Sequence, residues 1–430
     1  MKKLHHIVIV GGGAGGLGLA TNVGNSLGKK GQARITLVDA SLTHFWKPLL
    51  HEVAAGSINS YEDELNYFAH ASKNNFEFQL GKLEALDRNK KTIRLSELND
   101  DEGKLIAPAR ELDYDSLVIA IGSTTNDFGT EGAQSNCIFL DSRAQAERFH
   151  KRFMNTYLRA HATQSDEALN IAIVGAGATG VELAAELHHA AQELARYGLN
   201  DIRPENVKIS IIEAANRVLP VLSPRVSTTA LAHLEKMSIQ VFLNEKVTEI
   251  TETGLNTASG KTIPACLKVW SAGIKAPEFL RDLGLETNKI NQLIVRPSLQ
   301  TSADDTIFAL GDCAACPQPN GKWVPPRAQC ARQQALFLAN QFKRQFKGKP
   351  LQSFRFHDYG SLISLSKTGS VGQLLDTVFG DINVQGGIAR YMYLSLYRLH
   401  QKTLFGSYKL MFILLKDFFN KTTSPKLKLH

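Results

Sequence analysis

The sequence predicts an α/β protein with two Rossmann-like domains, followed by C-terminal amphipathic helices that anchor it on a membrane. Three observations predict this. A glycine-bearing segment occurs twice, with its first glycines 164 residues apart, at Gly11 and Gly175. Each copy lies between an apolar β-branched run and a helix of small residues, which reads as a buried parallel strand feeding a helix. The last forty or so residues hold nearly all of the net charge, with lysines repeating every seven positions.

The charge is the first thing to place. The chain has 430 residues and a formal net charge of +8. From residue 388 onward, Arg390, Arg398, Lys402, Lys409, Lys416, Lys421, Lys426 and Lys428 face one acid, Asp417, leaving +7 in the tail. The body is close to neutral, so a nucleic-acid partner is not expected. A hydrophobic share of 43% and a charged share of 21% exclude a disordered or fibrous chain. At this length two or three domains are expected. Five cysteines cannot form a disulfide framework over this length, and a reducing compartment is expected. Lys2 and Lys3 before apolar Ile7–Val10 imitate a signal peptide, but that run is short and breaks at Gly11. No stretch reaches the ~18 apolar residues of a spanning helix.

His6-Ile-Val-Ile-Val-Gly-Gly-Gly-Ala-Gly-Gly16 reappears as Asn170-Ile-Ala-Ile-Val-Gly-Ala-Gly-Ala-Thr-Gly180. Helices are expected over Leu17–Leu27 and Val181–Ala195, and returning strands over Ile35–Asp39 and Ile209–Glu213. Strand, glycine turn, helix, strand and acid in that order form a dinucleotide-binding signature. Gly11 and Gly175 permit the tight turn. Gly13 and Gly177 let the backbone approach a pyrophosphate. Gly16 and Gly180 allow close helix–strand packing. Unpaired N–H groups at the helix N-terminus then face the phosphates. Asp39 lies 23 residues past Gly16, suited to a ribose hydroxyl. Glu213 lies 33 past Gly180, and a polar loop insertion at Arg196–Glu205 accounts for the excess. An acid there repels a 2′-phosphate, so NAD is favoured over NADP, with nearby Arg217 as a counter-signal.

Further strands are expected at Leu117–Ile121, Lys268–Trp270 and Ile307–Leu310, a loop at Cys313–Pro326, and a helix at Arg327–Phe346. Short strands are expected within Phe354–Leu375. Two dinucleotide sites in one chain imply hydride transfer from a nicotinamide to a flavin, which then reduces something else. Leu117-Val-Ile-Ala-Ile-Gly-Ser123 and Phe308-Ala-Leu-Gly-Asp312 resemble the strands that close over FAD in the two-dinucleotide-binding-domain flavoproteins of glutathione-reductase type. His44-Phe-Trp-Lys-Pro-Leu-Leu-His51, Val269-Trp-Ser-Ala-Gly-Ile-Lys-Ala-Pro277, Val324-Pro-Pro-Arg-Ala-Gln-Cys-Ala-Arg-Gln-Gln334 and the end Pro425-Lys-Leu-Lys-Leu-His430 resemble the type II NADH:quinone oxidoreductase family. The resemblance covers essentially the whole chain.

That resemblance implies residues 1–125 and 291–350 as an FAD domain, 126–290 as an NADH domain, and 351–430 as a C-terminal domain. It implies FAD contacts at Gly11, Gly13, Gly16, Asp39, Lys47, Leu83, Gly122 and Asp312. It implies an NADH site at Gly175, Gly177, Gly180, Glu182, Glu213 and Gly273. It implies Gln329 at the quinone end of the flavin, with Gln333 one helical turn on. Glu182 is implied near the nicotinamide, with a part in proton delivery. An acid also suits the first helical turn, and the residues leave both readings open. No metal site is expected: Cys313-Ala-Ala-Cys316 has no second pair for zinc. A sulfide:quinone or disulfide oxidoreductase remains an alternative, but it needs a cysteine pair against the flavin. A flavin-holding interaction protein with weak reductase activity is another.

In the tail, Ile388, Met392, Leu396 and Leu399 form one apolar stripe, and Leu404, Tyr408, Met411, Leu415 and Phe418 a second. Phe405, Phe412 and Phe419 widen that second arc. Lys402, Lys409 and Lys416 fall opposite it. The pattern suits a helix lying in a membrane interface over about 388–420, and equally a helix packed on its own domain or a homodimer face. The concentrated charge and the lipid-dissolved quinone implied by the resemblance favour an anionic lipid surface. The expected location is the cytoplasmic face of the inner membrane.

Overall fold

The computed structural model describes residues 3–59, 64–100, 102–164, 168–199, 202–364, 370–376, 380–385, 387–423 and 427–428. Two five-stranded parallel sheets organise the chain. In the first, strand His5–Val10 is flanked by Ala33–Asp39 and Ser116–Ile119, with Glu77–Leu80 and Ile307–Ala309 at the edges. In the second, Leu169–Val174 is flanked by Val207–Ile212 and Leu267–Trp270, with Gln240–Phe242 and Ile138–Phe139 at the edges. Four strands of each sheet share one spatial order, while the fifth, at the edge, comes last in the chain in the first sheet and first in the second. Each inserts a three-stranded antiparallel sheet, 83–113 in the first and 247–264 in the second, before the fourth of these shared strands, Ser116–Ile119 and Leu267–Trp270. The internal echo in the sequence is therefore a duplication of architecture.

The central strands are apolar on both faces because both are covered, by helices on one face and by residues of the small antiparallel sheet on the other. In the second sheet Ile171, Ile173, Ile209 and Ile211 pack into one core, while Ala172, Val174, Ile212 and Trp270 pack into another. Alternate residues point to opposite faces, which divides the two sets. In the first unit, helix Ala14–Val23 packs on helix Ala328–Gln345. The first helix ends earlier than its apolar run, at Val23, and continues as a short π-helical turn over Gly24–Gly28. Asn74 O would meet a Cβ at Gly24 at 2.2 Å, so only glycine fits there. The short pair Thr124–Thr125 and Ile274–Lys275 joins the two units where the chain crosses between them.

Strands Ser361–Ser364, Ser370–Asp376 and Gly380–Gln385 form an antiparallel sheet. The helical segment Gly387–Thr423 follows, broken at Gly406 (φ 77°, ψ 169°). That break corrects the second apolar stripe. Leu404 and Tyr408 are not on one face, because the helix loses its phase between them. Leu404 is 6% exposed and belongs to the core of the first unit. Tyr408, Met411, Phe412 and Leu415 are 73, 49, 52 and 48% exposed. Phe405 packs on the same core as Leu404 and is not part of the exposed arc. Beyond the helix, Leu427 is buried in the core of the second unit, and Lys428 N donates to Gly56 O at 2.8 Å. The side chains of Ile388, Met392, Leu396, Phe418 and Phe419, and the remainder of the end segment from Pro425, lie outside the described residues. Among the described residues no helix is long and apolar enough to cross a membrane.

Candidate active site

The two glycine turns have one geometry. Gly11 and Gly175 take φ of 102° and 104°, a region that favours glycine. A Cβ at Gly16 would lie 1.8 Å from Gly11 O, and one at Gly180 would lie 2.0 Å from Gly175 O. At Gly13 and Gly177 a Cβ would meet no protein atom within 4 Å. Helix and strand thus touch at the third glycine, while the second faces open space. No side chain caps either helix N-terminus, so the first amides are free for a phosphate.

The acids hold these turns through the same pair of bonds. Asp39 accepts from Gly12 N at 2.6 Å and from Ser41 N at 2.8 Å. Glu213 accepts from Ala176 N at 2.7 Å and from Ala215 N at 2.8 Å. Glu213 lies just past the end of its strand, at Ile212. Burial pushes the Asp39 carboxyl up, against the pull of these amides. The turns differ in what holds their carbonyls. Ala176 O accepts from Leu219 N, whereas Gly12 O accepts from Tyr67 OH at 2.8 Å and His44 Nδ1 at 2.9 Å.

The symmetry extends to the fourth strands. Gly122 and Gly273 follow them with φ of 74° and 66°, each beside its own glycine turn. Ser123 Oγ donates to Asp312 at 2.9 Å, and Lys47 Nζ reaches Ser123 O at 3.4 Å. Burial raises the Asp312 carboxyl. Gln334, which is buried, accepts from Gly311 N at 2.7 Å, and Gln292 donates to Asp312 O at 2.9 Å. Sequence reasoning passed over both glutamines, because amides carry no motif of their own. Leu83 is buried in the first core, two residues past Gly81, whose N–H donates to Asp39 O.

At the start of helix Ala328–Gln345, Gln329 Oε1 is buried with no hydrogen-bond partner. Gln333, one turn on, spends its amide on the backbone of His357, donating at 2.8 Å and accepting at 3.1 Å. Glu182 is buried on helix Ala178–Arg196 and accepts from Ser364 N at 2.9 Å. His51 Nδ1 lies 3.6 Å from its other oxygen. Burial, with Glu52 and Glu186 nearby, drives the Glu182 carboxyl well above its usual range. Burial drives His51 down to about 4. The histidine was visible in its motif, but Ser364 and Glu182 meet only in the folded chain.

Residues 5–335 match the pyridine nucleotide-disulphide oxidoreductase family. A type II NADH:quinone oxidoreductase of Haemophilus influenzae is 44% identical over 99% of this chain and 100% of its own. The chain belongs to the type II NADH:quinone oxidoreductase family. A member from Staphylococcus aureus is 27% identical over 86% of this chain and 90% of its own. The fold is that of NDH2 from Plasmodium falciparum in complex with NADH (TM-score 0.83, 20% identity, 99% of this chain and 100% of that one).

A sulfide:quinone oxidoreductase from Aquifex aeolicus shares the fold too (TM-score 0.75, 21% identity, 94% and 92% covered). Within the quinone oxidoreductase family the cysteines of this chain read as structural. Cys313 and Cys316 are buried free thiols, with burial pushing both up to about 12. A thiol so raised is a poor nucleophile at neutral pH. Arg217 Nη2 donates to the carbonyls of Pro220 and Leu222. Among the described residues no cluster of three metal-ligating side chains occurs.

Proposed function

We propose that this chain is a peripheral membrane enzyme that oxidises NADH and reduces a lipid-dissolved quinone, without proton pumping, at the cytoplasmic face of the inner membrane. The twin glycine turns carry the reading. Open space before Gly13 and Gly177 fits one dinucleotide in each unit. On this reading residues 1–125 and 291–350 hold FAD, residues 126–290 hold NADH, and residues 351–430 form the C-terminal domain. FAD, when bound, supplies the two-electron relay between NADH and quinone.

The protein's own part is placement. Gly11, Gly13 and Gly16 shape the FAD turn; Asp39, Lys47, Leu83, Gly122 and Asp312 complete that site. Gly175, Gly177 and Gly180 shape the NADH turn, with Glu213 on the ribose and Gly273 beside it. Gln329 presents its unpaired Oε1 at the quinone end, and Gln333 fixes the neighbouring segment through His357. Glu182, a buried carboxyl whose affinity for a proton is raised, is placed to supply one to the quinone as it is reduced. Purified yellow protein is expected to oxidise NADH several-fold faster once a short-chain quinone is added. No acceleration by quinone would leave the weak-reductase alternative standing.

Membrane attachment rests on the helix beyond Gly406. Its exposed apolar residues sit beside Lys409 and Lys416, as in helices that lie in a headgroup layer. Met411→Glu with Leu415→Glu is expected to release the protein from anionic vesicles while NADH oxidation by ferricyanide stays unchanged. A double variant that still sediments with vesicles refutes this attachment. Self-association through the same face is the competing use, and light scattering of the detergent-free protein distinguishes it.

A further inference from the structure

The carbonyl of Gly12 fixes a chain of protons that reaches the C-terminal helix. A carbonyl only accepts, so His44 must place its hydrogen on Nδ1, which lies 2.9 Å from Gly12 O. His44 Nε2 is then bare if the ring is neutral. It lies 3.0 Å from His400 Nε2, which must therefore carry the hydrogen between them. Both rings are buried, and burial holds both far below the ordinary imidazole range. The order Gly12 carbonyl, His44, His400 admits one neutral tautomer for each ring.

Nearby contacts pin the same stretch of helix. The His400 ring stacks on Trp46 at 4.2 Å. Arg332 Nε reaches Thr403 Oγ1 at 3.4 Å, and Phe405 meets His70 edge-on at 6.1 Å. Leu404 is buried in the first core. The second glycine turn has no such helix, since the Leu219 amide serves its carbonyl.

We propose that His400 is a positioning residue for the FAD turn: through His44 it fixes Gly12, so that the seating of the C-terminal helix governs retention of FAD. The proposal rests on the reading that the first turn holds FAD. A donor at position 400 is what the latch requires. His400→Leu fills the space but leaves His44 Nε2 buried without a donor, and a group stranded in that way destabilises its surroundings. His400→Gln restores an N–H at similar reach.

The test is FAD release from the loaded full-length protein, followed by flavin fluorescence after dilution. His400→Leu is expected to release FAD at least tenfold faster than the parent, and His400→Gln within threefold of it. Should His400→Leu fail to fold, His400→Asn, too short to reach His44, takes its place with the same expectation. NADH binding to each variant serves as the control for an intact second unit. Equal release by the parent and His400→Leu overturns the latch, and so does equally fast release from both variants. A parent protein that purifies without FAD and takes none up sinks the reading of the first turn instead.

Discussion

Gly13→Ala is expected to keep the fold and lose FAD, whereas Gly16→Ala is expected to destabilise the fold itself. The added methyl at Gly16 would lie 1.8 Å from a backbone oxygen, which cannot swing aside as a side chain can. Helix and strand must separate, and overpacking of this kind costs about 1–3 kcal/mol or more. At Gly13 the methyl meets only the space a pyrophosphate needs. The same pair repeats in the second unit: Gly180→Ala destabilises, while Gly177→Ala retains FAD and raises the KM for NADH by at least tenfold. Thermal melting and flavin absorbance separate these outcomes. Equal melting temperatures for Gly13→Ala and Gly16→Ala would show that the turn is less tightly packed than its geometry states.

Acid should unfold this protein early. His44 and His51 are both fully buried and lowered from the ordinary 6.5 to about 4, chiefly by burial. Below pH 6.5 the unfolded chain takes up these protons while the folded chain refuses them until near pH 4. Stability is therefore full above about 6.5 and falls progressively toward 4. Each ring accounts for about 3 kcal/mol over that window. Glu182 acts in the opposite sense: its carboxyl is raised by burial, so as pH falls the folded state takes up this proton before the unfolded chain does. That gain runs over the same pH range as the histidine loss and offsets part of it, ending only below the ordinary carboxyl value near 4.5. With a total stability of roughly 5–15 kcal/mol, the histidines win. The melting temperature is expected to drop steeply between pH 6.5 and 4.5, and a flat profile over that range would contradict the burial argument.

Much of the architecture was legible because glycine and acid positions obey local rules. A turn that needs φ near 100°, a contact too close for a Cβ, and an amide looking for a carboxylate each leave a mark within forty residues. Glu213 could be picked out despite its long spacing, because the polar stretch Arg196–Glu205 reads as a loop insertion ahead of its strand. The contacts around the C-terminal helix left no such mark. His44 and His400 are 356 positions apart, and neither residue type announces a partner. The apolar stripe through Leu404 and Tyr408 satisfied helical periodicity in the sequence. Gly406 broke the phase, which a count of spacings cannot register. Glu182 was found by its place after the glycines, but Ser364, which bonds it, lies across the fold.

The helix beyond Gly406, which the proposed function sets against lipid, has packed residues on either side of it. Its approach is set by His400 and Leu404 on the first unit, and its exit by Leu427 and Lys428 on the second. A chain held so is a handle, not a tether. A tether would let the body tumble over the surface to which it is moored. On the proposed attachment, a handle leaves one orientation, in which every bound molecule presents the same side downward. If that side is the quinone end of the flavin, encounter with substrate becomes a search in two dimensions by a reactant already facing the right way.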